Sequence, residues 1–544
     1  MFSLAILIGV YSYVLFGMGI IGLLSRVSVL LVTTCYWGFL LMWKRKEVLS
    51  LVSTKTLSKG IASILGDRFS SIVLLLIALL TSVNLIGVFG PEIGFDALWY
   101  HLTLPKLYLQ WGSIKHIPGG LLYYSDMPKL VEMLYVGGLS LFHESGAKLI
   151  HYLFGVLTTV ITYKLAREFV SKKYALIAAV AFYANLVVGW ESTSAYIDLG
   201  RCFFEVLALY AFCNWVKTDK KQWFIESAVM LGLAISTKVL AVSSLLIFIP
   251  LIVIASKKRR SVRELGSLVA MYVLMSLLIP LPWFIFSFLN TGNFFYPFFT
   301  NVYPIEAGLI SASALVIIKD LFILLIKSAD PINPLYIMVL PLFFLVRKRI
   351  DKQAALFFFY SFIALVVWSL LPKTGGGRFV IPYLPTFSIA CAIVISKLSS
   401  SKDRLQRNLG SLLLVISLVI LVSSIGYRAL ANAKYIPVIL GQETKASFLT
   451  KHLNFSFGDF YDVDGYFTKT LTKQDRVLLY GFHNLYYIDF PFIDSSFVKK
   501  GERFNYIAVQ DGVIPERFSY WNELYYNKTT HVRVYSLGGQ MWMY

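Results

Sequence analysis

The chain has 544 residues, 57% of them hydrophobic and only 15% charged, with a mean hydropathy of +0.68. A soluble fold of this length could not hide so much apolar surface, so most of it faces lipid or packed helices. The net charge of +20 points first to a polyanionic partner such as nucleic acid. Its distribution excludes that reading, because the excess sits in short clusters between hydrophobic runs: Lys44–Lys46, Lys172–Lys173, Lys217–Lys221, Lys257–Arg260, Arg347–Arg349 and Lys402–Arg407. This is the positive-inside bias of a polytopic membrane protein.

In chain order, about thirteen segments read as membrane spans. They lie near residues 3–24, 27–43, 70–90, 147–167, 174–190, 198–216, 223–236, 238–256, 265–289, 333–346, 353–371, 379–397 and 410–427. The segments at 223–236 and 333–346 are short for a hydrocarbon core of about 30 Å, so they are tilted, broken or miscounted. The first segment has no basic leader and no clear cleavage site, and reads as a retained span rather than a signal peptide. With the basic loops in the cytoplasm, the N-terminus is cytoplasmic and the tail after Tyr427 lies outside. Cys35, Cys202, Cys213 and Cys391 all fall in hydrophobic spans with no C-x-x-C pair, which implies neither a disulfide scaffold nor a zinc site.

Three regions fall on the outer side. The first, Gly90 to Leu149, contains an amphipathic stretch from Leu130 to Phe142 that is expected to lie along the interface. The second, Asn290 to Asn333, includes an apolar helical stretch from Gly308 to Ile326. The third is the tail from Ala431, nearly balanced in charge with 12 Lys/Arg against 11 Asp/Glu. Its strand patterns at Val477–Tyr480, Tyr486–Ile488, Tyr506–Val509 and His531–Tyr535, with a helical pattern near Thr444–Leu453, describe a small α/β domain. That tail has no Gly-rich phosphate loop and no nucleophile elbow. The chain shows no repeat of about 20–50 residues and no similarity between halves of the kind inverted-repeat transporters carry.

The expected fold is therefore a polytopic α-helical membrane protein, N-terminus in and C-terminus out, with a small α/β extracytoplasmic C-terminal domain. Residues 1–69 hold two additional helices and a cytoplasmic loop, and residues 70–430 form the core, with outer loops at 90–149 and 290–333. Residues 431–544 form the outer domain.

Chemistry is expected where charge sits at a lipid boundary without an obvious reason, because removing it from water costs several kcal/mol. Asp96 lies in the first outer loop, just ahead of His101 and Lys106. It is either a carboxylate that takes a proton or the N-cap of the helix that follows. His101 pairs with a carboxylate, binds sugar or faces water, and Lys106 meets a phosphate or snorkels. Asp198 opens a span, with Arg201 and Glu205 placed to pair with each other at i, i+4. Lys238 sits in a turn between apolar segments, and Arg378 follows Gly375–Gly377. Both break the charge bias on the outer side. Glu92, Asp126 and Glu132 are further acids of the first loop, Asp126 reading as a turn former. Tyr123, Tyr124 and Tyr135 form either a sugar-stacking surface or, as the safer reading, an interfacial belt.

The motifs Phe95–His101, Ser194–Asp198, Gly232–Lys238, Gly292–Pro297 and Arg378–Pro385, in this order and topology, resemble the glycosyltransferase C superfamily. The branch is the one that contains protein O-mannosyltransferases and the lipid A aminoarabinose transferase. The resemblance spans roughly Ser70 to Leu430, and the first two helices look like an addition. It implies an inverting transfer of a sugar from a polyprenyl-phosphate donor to a glycan, lipid or protein acceptor at the outer face of the cytoplasmic membrane. In that reading Asp96 is the general base, and His101, Lys106, Asp198, Lys238, Arg378 and Tyr383 bind substrate. Ala97 stands where the family places a second acid, so no metal or other cofactor is expected at this loop, although other carboxylates could supply divalent-metal ligands. The alternative class is a transporter, flippase, polymerase or ligase of lipid-linked glycans. A transporter would gather its ionisable groups near the midplane on broken helices, whereas here they gather at span ends on one side.

Overall fold

The computed structural model describes residues 1–43, 67–256, 260–300, 319, 322–324, 331–370 and 376–544. The basic cluster Lys44–Lys46, the run Lys257–Arg259, Gly375 and most of the apolar stretch Gly308–Ile326 lie outside the described residues.

Helices begin and end where local chemistry allows. Helices α1 (Phe2–Ile20) and α2 (Arg26–Trp43) are joined by a short turn. Helix α3 (Arg68–Phe89) starts at Asp67, whose carboxylate accepts the Ser70 amide at 2.8 Å, and stops at Gly90. The cap satisfies an amide that the first helical turn leaves without a partner. A π-helical turn (Ala97–His101) leads into α4 (Thr103–Trp111). Helix α5 (Leu130–Arg167) is broken at Phe142 and His143, whose backbone angles leave the helical region. Then come α6 (Lys172–Tyr183), α7 (Leu186–Glu191), α8 (Asp198–Thr218) and α9 (Lys221–Thr237). Helix α10 (Leu245–Ser256) follows a 3-10 turn, and α11 (Val262–Leu278) opens on a Ser261/Glu264 capping box. The chain bends by 65° into α12 (Leu281–Thr291), at Pro280 and Pro282, which lack the amide a continuous helix needs. Helices α13 (Lys352–Leu370), α14 (Leu384–Ser399), α15 (Arg404–Ala433) and α16 (Lys445–His452) complete the set used below.

Among the described residues nine helices are long and apolar enough to cross a membrane, or ten if the bent α11–α12 pair is one span. The chain is an integral membrane protein. The three further segments read from the sequence are helical but interrupted or short. Segment 174–190 splits at Ala184 and Asn185 into α6 and α7, segment 223–236 is the 17-residue α9, and segment 333–346 is a string of short turns around Pro341.

The stretch Leu130–Phe142 differs from its amphipathic expectation. Residues 130–140 are buried on every side rather than lying on an interface. They pack beneath α1 and α2, with Ser12 donating to the Leu130 carbonyl at 2.8 Å and Arg26 to the Ser140 carbonyl at 3.1 Å. The Tyr11 hydroxyl comes so close to Gly137 that a Cβ there would lie 2.6 Å from it. The two N-terminal helices thus roof this segment, and the roof is what makes its polar face unnecessary.

Ion pairs Lys217–Glu168 and Arg260–Asp219 tie together the basic loops at one end of the bundle. The opposite end carries the Asp96 loop and the C-terminal domain. That domain is a five-stranded mixed sheet in the order β2-β1-β4-β6-β5. Its strands are β1 (Val477–Tyr480), β2 (Phe492–Asp494), β4 (Tyr506–Gln510), β5 (Asn522–Asn527) and β6 (Val532–Ser536). A two-stranded ribbon pairs β3 (Arg503–Phe504) with β7 (Trp542–Met543). Tyr486–Ile488 is a turn, not the strand its aromatic pattern implies, and it packs on the bundle. Lys106 donates to the Tyr486 and Ile488 carbonyls at 2.6 and 2.7 Å and pairs with Asp489 at 2.8 Å. The Tyr487 hydroxyl donates to the Glu92 carbonyl at 2.8 Å, so the domain rests directly on the loop that carries Asp96.

Candidate functional site

Asp96 immediately precedes the π-helical turn, but its side chain makes no capping bond. Its Oδ2 lies 2.8 Å from Arg378 Nη1 and accepts the Tyr100 hydroxyl at 3.3 Å. The loop is held by Glu92, which is 1% exposed. One Glu92 oxygen accepts the Ile93 and Gly94 amides and the other accepts the Ala195 amide at 2.7 Å, stapling the Asp96 loop to the start of α8. Across that staple the Asp96 amide donates to the Tyr196 hydroxyl at 3.2 Å. Gly94 has to be glycine here, since a Cβ would lie 2.8 Å from the Tyr196 ring.

Asp198, at the first position of α8, is almost fully buried. Its Oδ1 lies 2.6 Å from Lys238 Nζ, and its Oδ2 lies 3.8 Å from Arg378 Nε. Lys238 follows α9 in an extended conformation, which turns its side chain out of the helical path and over the Phe379 ring at 4.8 Å. The Arg378 guanidinium lies over the Tyr196 and Phe379 rings at 4.9 and 5.4 Å. The four side chains alternate in sign, Asp96–Arg378–Asp198–Lys238, and their formal charges cancel. Partly buried charges persist in such an arrangement because each has an opposite neighbour.

Asp96, Lys238 and Arg378 line one cavity of about 430 Å³, within the size range of small-molecule sites. Much of its remaining wall is aromatic, with Trp99, Tyr100, Tyr123 and Tyr124. Tyr100 and Tyr124 stack with centroids 3.8 Å apart. Burial, then the neighbouring Asp96 carboxylate, hold the Tyr100 phenol far above its ordinary value, so it stays protonated and donates. Tyr123 and Tyr124, read from the sequence as an interfacial belt, are thus part of the cavity wall, whereas Tyr135 is fully buried and donates to the Tyr196 carbonyl.

Lys129 is a cavity residue that sequence reasoning passed over. It is 1% exposed, donates to the Tyr124 and Met127 carbonyls, and lies 5.6 Å over the Trp283 ring. Burial pushes its ammonium down to about 8. A lone lysine at the head of an apolar run was the available signal. His483 of the C-terminal domain was also missed. Its imidazole stacks on Phe95 at 4.8 Å and lies tilted against Trp99 at 4.4 Å, so that domain backs two residues of the cavity wall.

Three of the residues assigned to substrate by resemblance stand elsewhere. His101 is 1% exposed behind the wall, with Nδ1 3.0 Å from Glu132 Oε1. Lys106 is committed to the C-terminal domain, as described above, and not to the cavity. Tyr383 is fully buried among the helices, where its hydroxyl accepts Arg201 Nη2 at 3.1 Å. Arg201 pairs with Glu205 at 2.6 Å, and Glu205 accepts the Ser244 hydroxyl at 2.9 Å. That network is a self-satisfied strut between helices. Among the described residues no group of three or more His, Cys, Asp or Glu side chains is placed to hold a metal ion.

Residues 126–286 match the family model described as dolichyl-phosphate-mannose-protein mannosyltransferase. The matched interval is less than half of the chain; it takes in Lys129, Asp198 and Lys238 and leaves Asp96 and Arg378 outside. Among solved structures, the chain is similar to ArnT from Cupriavidus metallidurans bound to undecaprenyl phosphate. The TM-score is 0.59 at 14% identity, over 86% of this chain and 98% of that one. The same protein in the apo state gives 0.60 at 14% identity over the same shares. At this identity the likeness is one of fold. No curated protein matches the sequence.

Proposed function

We propose that this chain, which has the glycosyltransferase C fold, transfers a sugar from a polyprenyl-phosphate carrier to an acceptor on the outer face of the membrane, with inversion at the anomeric carbon. The observation that carries the reading is a carboxylate at 2.8 Å from a guanidinium on one cavity wall, with a second cation beside them. An inverting transfer needs a base for the acceptor's proton and cations for the departing phosphate, and both are within one cavity here.

In this mechanism the acceptor hydroxyl attacks the anomeric carbon from the face opposite the phosphate. Asp96 takes the hydroxyl proton as the new C–O bond forms. The old bond breaks with its electron pair on the phosphate oxygen, so the leaving group departs as an anion and needs no acid. Arg378, whose planar fork suits phosphate oxygens, and Lys238 stabilise that charge. Trp99, Tyr100 and Tyr124 offer flat faces for the sugar ring. Arg378 faces both Asp96 and Asp198, and a donor phosphate that draws the guanidinium to itself frees Asp96 for the acceptor. The outward-facing placement is supported by the basic loops tied together at the other end of the bundle, which the positive-inside rule assigns to the cytoplasm. The undecaprenyl phosphate bound to the ArnT of similar fold supports the carrier class.

The test is incubation of the purified full chain with radiolabelled polyprenyl-phosphate sugars and with lipid, glycan and peptide acceptors. The expected result is acceptor-dependent release of polyprenyl phosphate. Movement of the intact glycolipid across a reconstituted bilayer without release would favour a transporter and defeat the proposal.

A further inference from the structure

On the far side of the Asp96 loop lies a second cavity, of about 400 Å³, between that loop, α7 and the end of α15. Its wall includes Arg428, which is 4% exposed. Arg428 Nε donates to Asn84 Oδ1 at 3.0 Å, and Nη2 donates to Thr193 Oγ1 and Asn432 Oδ1 at 3.1 and 2.9 Å. All three acceptors are neutral. Among the described residues no carboxylate lies within ion-pair distance of this guanidinium, and its Nη1 has no hydrogen-bond partner. Of the other buried cations at this end of the bundle, Arg378 and Lys238 face carboxylates, whereas Lys129 and Lys148 donate to backbone carbonyls.

Keeping a guanidinium out of water without a counter-charge is costly, and neutral hydrogen bonds return only part of that cost. The amides and hydroxyl that hold Arg428 fix its plane and leave one edge for a further acceptor. A second cation, Lys434, stands on the same cavity wall, 5.2 Å over the Tyr435 ring. Ser194 and Tyr196 are also lining residues; the Thr193 hydroxyl, which accepts from Arg428, gives its own proton to the Trp190 carbonyl at 2.8 Å. Two cations and no acid on the described wall make an anion site. The space exceeds what a simple ion fills and accommodates a head group. Phe95 lines both cavities, so the two sites are set back to back across the Asp96 loop.

We propose that this cavity binds a phosphate group, as the free ion or as the head group of a lipid, in a site separate from the Asp96 cavity. The site does not depend on the transfer reaction proposed above. Phosphate binding here and sugar transfer at Asp96 stand or fall separately, because each is read by its own assay.

The test uses the full chain in a neutral detergent, with melting temperature measured in inorganic phosphate or dihexanoyl phosphatidic acid against chloride at matched ionic strength. Arg378→Gln weakens the phosphate affinity assigned to the first cavity, where Lys238 remains. In that background a rise in melting temperature is expected to persist, and adding Arg428→Gln is expected to cut it to a small remainder. A rise with both probes means the free ion suffices, and a rise with phosphatidic acid alone assigns the site to a lipid head group. No rise in Arg378→Gln, or an undiminished rise in the double variant, overturns the proposal. Should the variants not fold, a tungstate soak of the wild-type chain reads the same point. A scattering peak between Arg428 and Lys434 is expected, and its absence there overturns the site.

Discussion

Arg378→Gln is the perturbation whose effect the geometry constrains most tightly. The guanidinium is 14% exposed, 2.8 Å from Asp96 and 3.8 Å from Asp198. At an effective dielectric of about 20, two charges about 4 Å apart interact by about 4 kcal/mol. Removing one partner of a buried pair typically costs about 3–5 kcal/mol. Here the loss falls at the low end, because Lys238 still faces Asp198 and Tyr100 still donates to Asp96. The effect on chemistry is of a different kind. A donor aimed at charge that develops only in the transition state is worth about 2.7–4 kcal/mol, a fall of roughly 10²–10³ in kcat. Arg378→Lys keeps the charge but loses the fork and the stacking on Tyr196 and Phe379, so it is expected to recover only part of the rate. The assay is steady-state transfer from a polyprenyl-phosphate sugar, with melting temperature followed in parallel. If Arg378→Gln stays folded and keeps kcat within about threefold of wild type, the guanidinium does not serve the leaving phosphate, since a lost transition-state interaction must appear in kcat.

Three further outcomes follow from the same contacts. Tyr383→Phe removes an acceptor from buried Arg201 and is expected to cost about 2 kcal/mol of stability while leaving the donor KM unchanged; a raised KM in a fully stable variant would return Tyr383 to the substrate. Lys106→Met strips partners from the Tyr486 and Ile488 carbonyls, at about 1–3 kcal/mol, and should speed hydrogen exchange through residues 481–489, whereas unchanged protection there would show that the C-terminal domain docks by other means. Asp494 is 3% exposed and burial pushes its carboxyl up to about 6. The native state therefore holds the proton more tightly than the unfolded chain. The stability tied to this group is highest below about pH 4 and falls as pH rises towards 6, by about 3 kcal/mol. Asp494→Asn should flatten that slope in hydrogen exchange of the sheet, and a slope unchanged by the substitution would assign it to another group.

Asp96, Asp198, Lys238 and Arg378 were legible because each breaks a rule of membrane sequences: acids and cations do not sit at an outer lipid boundary without a use. What the sequence hid is partnership. Lys106 has the same local signature as Lys238, but its acceptors lie some 380 residues later in the chain, and no local pattern distinguishes a lysine that docks a domain from one that meets a phosphate. Tyr383 shares a motif with Arg378 yet points into the Arg201 network, because a 3-10 turn at Gly376–Tyr383 separates the directions of the two side chains. The turn Tyr486–Ile488 looked like a strand for a related reason: its aromatic residues are buried by the bundle, not by a sheet. The stretch Leu130–Phe142 was misplaced because hydropathy sees one helix at a time and not the roof that α1 and α2 supply.

The central claim is that Asp96 takes the acceptor's proton while Arg378 and Lys238 hold the phosphate. The most direct test is a single-turnover measurement with Asp96→Asn, which keeps the side-chain shape and Tyr100's acceptor but cannot accept a proton. Preloaded with labelled donor and then given acceptor, the variant is expected to bind the polyprenyl-phosphate sugar and to transfer it at least roughly 10²-fold more slowly, the size of a general-base contribution. Transfer by the folded variant at the wild-type rate would contradict the account.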